Sequence, residues 1–229
     1  MAAYNTPPPS HTFGCGPEDF YTAANVGMWA TLKDAAMAWI IIEIGTPAGG
    51  AAAVTLDQAT ALAGTGTKTL GFDKYYQGGQ RLVIGSTAAA FVIGETVTGD
   101  SSGNTAKVIK ISSDELVVTP ITGSTTWTTG ETLTGASASA TITGTGTDED
   151  IWCEMTAASD TFSTLAVTFT KYAIPVWPNM LDEANDFDCF QVDIAKAASG
   201  STVGSCCYIF EDKIKKYPGI SHIGANKAS

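Results

Sequence analysis

One pattern occurs twice, 36 positions apart, and it limits the possible folds more than anything else in the chain. Phe91-Val92-Ile93-Gly94-Glu95-Thr96-Val97-Thr98-Gly99 returns as Trp127-Thr128-Thr129-Gly130-Glu131-Thr132-Leu133-Thr134-Gly135. Each copy has an aromatic residue, then Gly-Glu-Thr-aliphatic-Thr-Gly, then a run rich in Ser, Ala and Thr. A spacing of this size marks a duplicated supersecondary unit, and two copies are too few for a solenoid. Side chains that alternate in character between glycines predict a small β-hairpin in each copy.

Charge is sparse around the repeat, and the composition shifts at Gly78-Gly79 and at Asp148-Glu149-Asp150. Residues 80–147 therefore read as an inserted β-domain built from the duplicated hairpin. The flanking residues 21–79 and 148–212 form one discontinuous base domain. Within it, Ala38-Trp39-Ile40-Ile41-Ile42-Glu43-Ile44 is a β-branched run closed by Gly45, which predicts a strand. Residues 54–63 predict a strand entering a short helix. Further strands are expected at 151–155, 165–172, 190–194 and 205–210. Pro175 and Pro178 assign Val176-Trp177 to a loop or a sheet edge. Many short strands without long helices predict an all-β fold, with a β-sandwich or jelly-roll-like base.

The ends differ in character. Residues 1–20 hold Pro7-Pro8-Pro9 and read as an extended N-terminal arm, with Tyr4, Phe13, Phe20 and Tyr21 as apolar anchors for a partner. Residues 213–229 read as a polar C-terminal tail. The first residues lack a basic stretch followed by an apolar core, so no secretory leader is expected. The longest apolar run, residues 35–42, is too short to span a bilayer.

Charged residues are only 15% of the chain and the formal net charge is −11, with 12 Lys and Arg scattered along it. Such a surface offers no basic patch for phosphate backbones or anionic lipid, which argues against nucleic-acid and membrane partners. Five cysteines, without Cys-x-x-Cys spacing, predict neither a disulfide framework nor a zinc site. Cys206 and Cys207 are neighbours in an expected strand, so their side chains should face opposite sides.

Several stretches imitate catalytic or binding motifs. Gly99-Asp100-Ser101-Ser102-Gly103 has the Gly-x-Ser-x-Gly form, but a nucleophile elbow needs a following helix and a histidine base. The only histidines are His11 and His222, and the second copy loses the pattern, so a turn is the better reading. Gly64-Thr65-Gly66-Thr67-Lys68-Thr69 lacks the Gly-Lys-Ser/Thr order of a phosphate loop and reads as a turn between strands. In the acidic run 182–188, Ala184 stands where a calcium loop needs a ligand, so a solvated loop is expected. Glu95 and Glu131 could form a carboxylate pair for glycoside hydrolysis. As equivalent positions of a duplicated turn, they are instead expected to bond local backbone amides. No catalytic residue, cofactor or metal site is predicted, and the chain reads as a non-enzyme.

Trp29-x-x-Leu32-Lys33-Asp34-Ala35, Ile40-Ile41-Ile42-x-Ile44-Gly45, Val54-Thr55-Leu56-x-Gln58-Ala59 and Gly64-Thr65-Gly66-x-Lys68-x-Leu70 together resemble structural proteins of tailed bacteriophages. Phe187-Asp188-x-Phe190-Gln191-Val192-Asp193 and Cys207-Tyr208-Ile209-Phe210-Glu211-Asp212 fit the closing strands of that group. The Gly-Glu-Thr-Val-Thr-Gly module is similar to a small β-module of phage virion proteins. The resemblance implies a virion component, most plausibly a capsid decoration (cement) protein made in the host cytoplasm. It would bind the major capsid protein at the capsid surface as a homo-oligomer, a trimer. The alternative is a tail or receptor-binding component whose repeat domain contacts host glycans, with Phe91 and Trp127 as stacking platforms.

Overall fold

The computed structural model describes residues 11–19, 25–33, 35–47, 51–120, 127–164, 170–195 and 202–212. They form an all-β fold in which every strand pairing is antiparallel. The strands are β1 (His11–Asp19), β2 (Asn25–Val26), β3 (Ala30–Thr31), β4 (Ala35–Pro47), β5 (Ala53–Ala59) and β6 (Lys68–Thr69). There follow β7 (Lys74–Val83), β8 (Thr96–Gly99), β9 (Thr105–Ile111), β10 (Glu115–Val118), β11 (Thr132–Thr134) and β12 (Ser139–Thr141). The chain closes with β13 (Gly144–Thr156), β14 (Phe162–Ser163), β15 (Thr170–Val176), β16 (Cys189–Ile194) and β17 (Thr202–Asp212).

The base is a sandwich of two sheets. One runs β1-β17-β4-β15-β7 with β13 on the far side of β7; the other runs β14-β5-β16-β2, with β3 beside β16 and β6 beside β5. Period-two alternation turns Ile40, Ile42 and Ile44 of β4 inward, where they join Ile174 and Tyr208 of the first sheet. Leu56, Phe190, Val192 and Ile194 meet them from the second sheet. Tyr75 stacks on Phe162 across the core at 4.0 Å between centroids, and Phe190 lies 5.1 Å from Tyr208. The Tyr208 hydroxyl, reaching from the first sheet, accepts the amide hydrogen of Val192 in the second at 3.3 Å. Cys206 packs in this core while Cys207 lies on the other face, as their adjacency in a strand requires.

A second core gathers Leu82, Phe91, Val97, Val108, Leu116, Leu133 and Ile142 with their neighbours, all from the repeat region. The strands around it close into a ring. β7 pairs with β10, β10 with β9, β9 with β8, β8 with β11 and β11 with β12. The chain then runs from β12 through Ile142 and Thr143 into β13, which pairs with β7 again. The result is a small barrel related to itself by a pseudo-two-fold axis. Thr98 pairs with Thr134 and Arg81 with Val117. In both pairs a residue faces its own equivalent 36 positions on.

Base and barrel share β7 and β13. β7 pairs with β15 at Tyr76 and Gln77 and changes neighbour to β10 from Gln80 onward. The change falls at Gly78-Gly79, where β13 slips register between Asp148 and Trp152. A Cβ on Gly79 would stand 2.9 Å from Val117 Cγ1, so only glycine lets β10 approach there.

One local expectation fails, and another holds in its sheet-edge form. Residues 60–66 form turns and not a helix, because β5 passes into the Gly64-Gly66 turn, where both glycines hold positive φ. Pro175 lies inside β15, opposite Trp39 of β4. It is tolerated there because the β7 ladder ends at Ala173, leaving the other side of Pro175 without a strand partner.

Candidate functional site

The motif explains itself once the two copies face each other. Gly94 and Gly130, with φ of 90° and 96°, turn the chain so that each following glutamate folds back over its own loop. Glu131 Oε1 accepts the amide hydrogen of Thr128 at 2.6 Å, three residues earlier. Its Oε2 crosses to the other copy and accepts from the Ser102 amide at 3.1 Å and the Ser102 hydroxyl at 2.7 Å. Glu95 mirrors this, accepting from the Val92 amide in its own copy and from the Ser137 amide at 3.0 Å in the other. The closing glycines make room. A Cβ on Gly135 would lie 2.8 Å from Glu95 Oε2, and one on Gly99 would overlap Glu131 Oε2.

Partial burial works to raise the Glu95 carboxyl. The amides of Val92, Ser137 and Ala136 and the Ser137 hydroxyl together outweigh it and hold the group below the ordinary carboxylate range. Both carboxylates are thus committed to backbone amides, with Glu131 only 3% exposed, an arrangement suited to clamping the barrel. Ser102 of the Gly-x-Ser-x-Gly match is a donor in that clamp, and Ser101 bonds Asp100 at 3.1 Å. Phe91 and Trp127 are 3% and 6% exposed, which corrects the expectation that they serve as stacking platforms. Each fills the barrel core, and the Trp127 indole donates to Gln80 Oε1 at 2.9 Å.

The other imitations resolve into local structure. In the Gly64–Gly66 turn the Gly64 amide donates to the Ala61 carbonyl, so it does not point outward to a phosphate. In the acidic loop, Asp182 accepts from Lys68 and from both-sided contact with the Asn185 amide nitrogen at 2.9 and 3.0 Å. The Lys68 hydrogen bond, then that of Asn185, hold the Asp182 carboxyl below its usual range. Lys68 also lies 4.0 Å from the Phe187 ring centroid. Among the described residues no group of three or more His, Cys, Asp or Glu is placed to hold a metal ion.

An apolar groove on the outer face of the base is the feature that sequence reasoning missed. Trp39, Ile41, Tyr76, Trp152, Ala173 and Ile209 line it, from β4, β7, β13, β15 and β17, with an open volume of about 430 Å³. Trp152 is 40% exposed, and Trp39 meets Tyr76 edge-on at 5.7 Å. The rim is ionic: Glu154 pairs with Lys74 at 2.8 Å, Glu43 with Lys171 at 3.4 Å, and the Trp39 indole donates to Glu211 at 3.2 Å. The signal was the uninterrupted apolar run at 38–42. A strand with one wet face alternates, whereas this one is apolar on both.

Of the expected partner anchors, Tyr4, Phe20 and Tyr21 lie outside the described residues. Phe13 belongs to β1, where its backbone pairs with Cys207 of β17. No protein-family profile, curated protein or solved structure matches this chain.

Proposed function

We propose that the chain is a non-catalytic structural protein of a tailed-phage virion, a decoration protein that binds the outer capsid. The apolar groove carries this reading. Its six lining residues put two tryptophans and a tyrosine in the middle of a β-sheet face, with charged pairs at the rim. Aromatic centres with polar rims are the composition of protein docking surfaces. In this reading the base faces the major capsid protein, the molecule assembles as a trimer, and the barrel projects outward. The clamped barrel supports a mechanical role, since its two repeated glutamates, Glu95 and Glu131, are used internally to close the ring. The sequence resemblance to phage structural proteins supplies the capsid as the partner.

Cryo-electron microscopy of the virion that carries this chain tests the reading. Density for the sandwich against the outer head surface is expected, with Trp39 and Trp152 at the contact. Trp152→Ala should lower occupancy on purified capsids at least tenfold while thermal unfolding stays unchanged. Density confined to the tail, or full occupancy by the variant, would refute it.

A further inference from the structure

We infer that the base half of β13, Trp152 to Thr156, is a docking edge that takes up an extended, basic strand of the partner by antiparallel β-pairing. The inference deepens the docking reading above by naming the shape and charge of the docked segment, and it rests on that reading only for there being a partner. Trp152 joins the two features, since it lines the groove from the last strand of the sheet. Among the described residues β13 pairs only with β7. The register shows which backbone groups this leaves open. Ala157 donates its amide hydrogen to the carbonyl of Asp73, directly opposite it. Counting back by two, Met155 and Cys153 bond to β7, whereas the N–H and C=O of Trp152, Glu154 and Thr156 point away from it.

The side chains of this edge are open as well. Cys153 and Met155 alternate toward the core, and Met155 packs on it, yet both remain only half-buried. Tyr172 of β15, which has a strand on either side, is 0% exposed by contrast. A strand added beside β13 would cover this inner row with alternate apolar residues and, on the outer face, continue the groove past Trp152. Charge selects the occupant. Asp148, Glu149, Asp150 and Glu154 lie along β13, and no Lys or Arg does. The Glu154 side chain is 50% exposed despite its pair with Lys74, so it can accept a second cation. Pairing β13 with β13 of another copy would set acidic residues against acidic residues, which disfavours that ladder. A strand with Lys or Arg on its outer face and aliphatic residues on its inner face satisfies both rows.

The probe is the peptide acetyl-Thr-Val-Lys-Val-Arg-Val-Thr-amide. In antiparallel register it sets its Lys opposite Glu154, its Arg over Trp152 and its valines beside Met155, Cys153 and Ile151. Amide hydrogen exchange of the full chain, followed by NMR, reads the edge. In the free protein Cys153 and Met155 should exchange slowly, and Trp152, Glu154 and Thr156 fast. Saturating peptide should slow those three by about tenfold or more. Glu154→Lys, an exposed change, should weaken the peptide by about tenfold. Methylating the peptide's Lys and Arg amide nitrogens, which face β13, should abolish binding, whereas methylating its valine nitrogens, which face away, should preserve it. Protection of the three amides without peptide would overturn the inference, since the edge would then be occupied already. So would binding by the peptide methylated at Lys and Arg, which would reduce the effect to charge, or no binding by the unmodified peptide. If the peptide protects the edge but the chain leaves purified capsids bare, the edge stands and the decoration reading falls. If the chain decorates capsids and the peptide neither binds nor competes, the decoration reading stands and the edge falls.

Discussion

The reciprocal clamp makes a quantitative claim about Gly99 and Glu131. Glu131→Ala removes an acceptor for two backbone amides and one hydroxyl. Hydrogen bonds to an ionised group contribute about 1.5–3 kcal/mol each, but Thr128 is solvent-exposed and water can replace part of the loss. A total of about 3 kcal/mol follows from two effective bonds. Gly99→Ala drives a methyl group into Glu131 Oε2 and to 2.7 Å from Ser102 Oγ, so it must expel the same carboxylate. Its cost should be about 2–3 kcal/mol, the size of overpacking plus the lost bonds. Once Glu131 is alanine, the methyl has room, so the double variant should be less damaged than the sum by about 2 kcal/mol. Urea titration of the four proteins, followed by tryptophan emission, measures the cycle. Additivity within about 0.5 kcal/mol would show that the glycine and the glutamate are not coupled and refute the clamp.

Three further outcomes follow from the ionisable groups. Glu95 is held low in the fold, so its stabilisation is complete above its ordinary value of 4.5 and is lost as pH falls through the lower folded value; Glu95→Gln should flatten this part of the acid limb in a thermal-shift series. Asp57 has the opposite sign: burial first, then the charge of Asp193, push its carboxyl up, so ionisation destabilises the fold at neutral pH. Asp57→Asn should raise Tm at pH 7, and the gain should shrink to nothing as pH falls toward 3.8; a constant gain would mean the charge is not the cause. Burial, then Asp188, push the Cys189 thiol up to about 12, so iodoacetamide at pH 8 should leave it unmodified in the folded protein, as peptide mass mapping would reveal.

What could be read from residues alone was whatever repeats at short range. The β-branched run at 38–44 and the Gly-Glu-Thr hairpins are local patterns, and both became strands where expected or within a few residues. The hairpin of the first copy starts only at Thr96, because burial of Phe91 and the left-handed Gly94 make the opening of the motif a turn. The amide-bonding role of the glutamates was legible, but their crossing between copies was not. That crossing depends on Thr98 meeting Thr134, a register between segments far apart in sequence. The groove was illegible for the same reason. Its residues come from five strands brought together by topology, and only the unbroken apolar run of β4 hinted that its second face was apolar.

The axis through Thr98–Thr134 and Arg81–Val117 has a consequence for how such a barrel can arise. Each half contributes strands that are completed only by the other, so one copy alone would have to recruit a second molecule to close the ring. Tandem duplication puts both halves on one chain and turns a bimolecular closure into a unimolecular one. The barrel then folds independently of protein concentration, and among the described residues its strands close on one another without leaving an edge for a neighbour to extend.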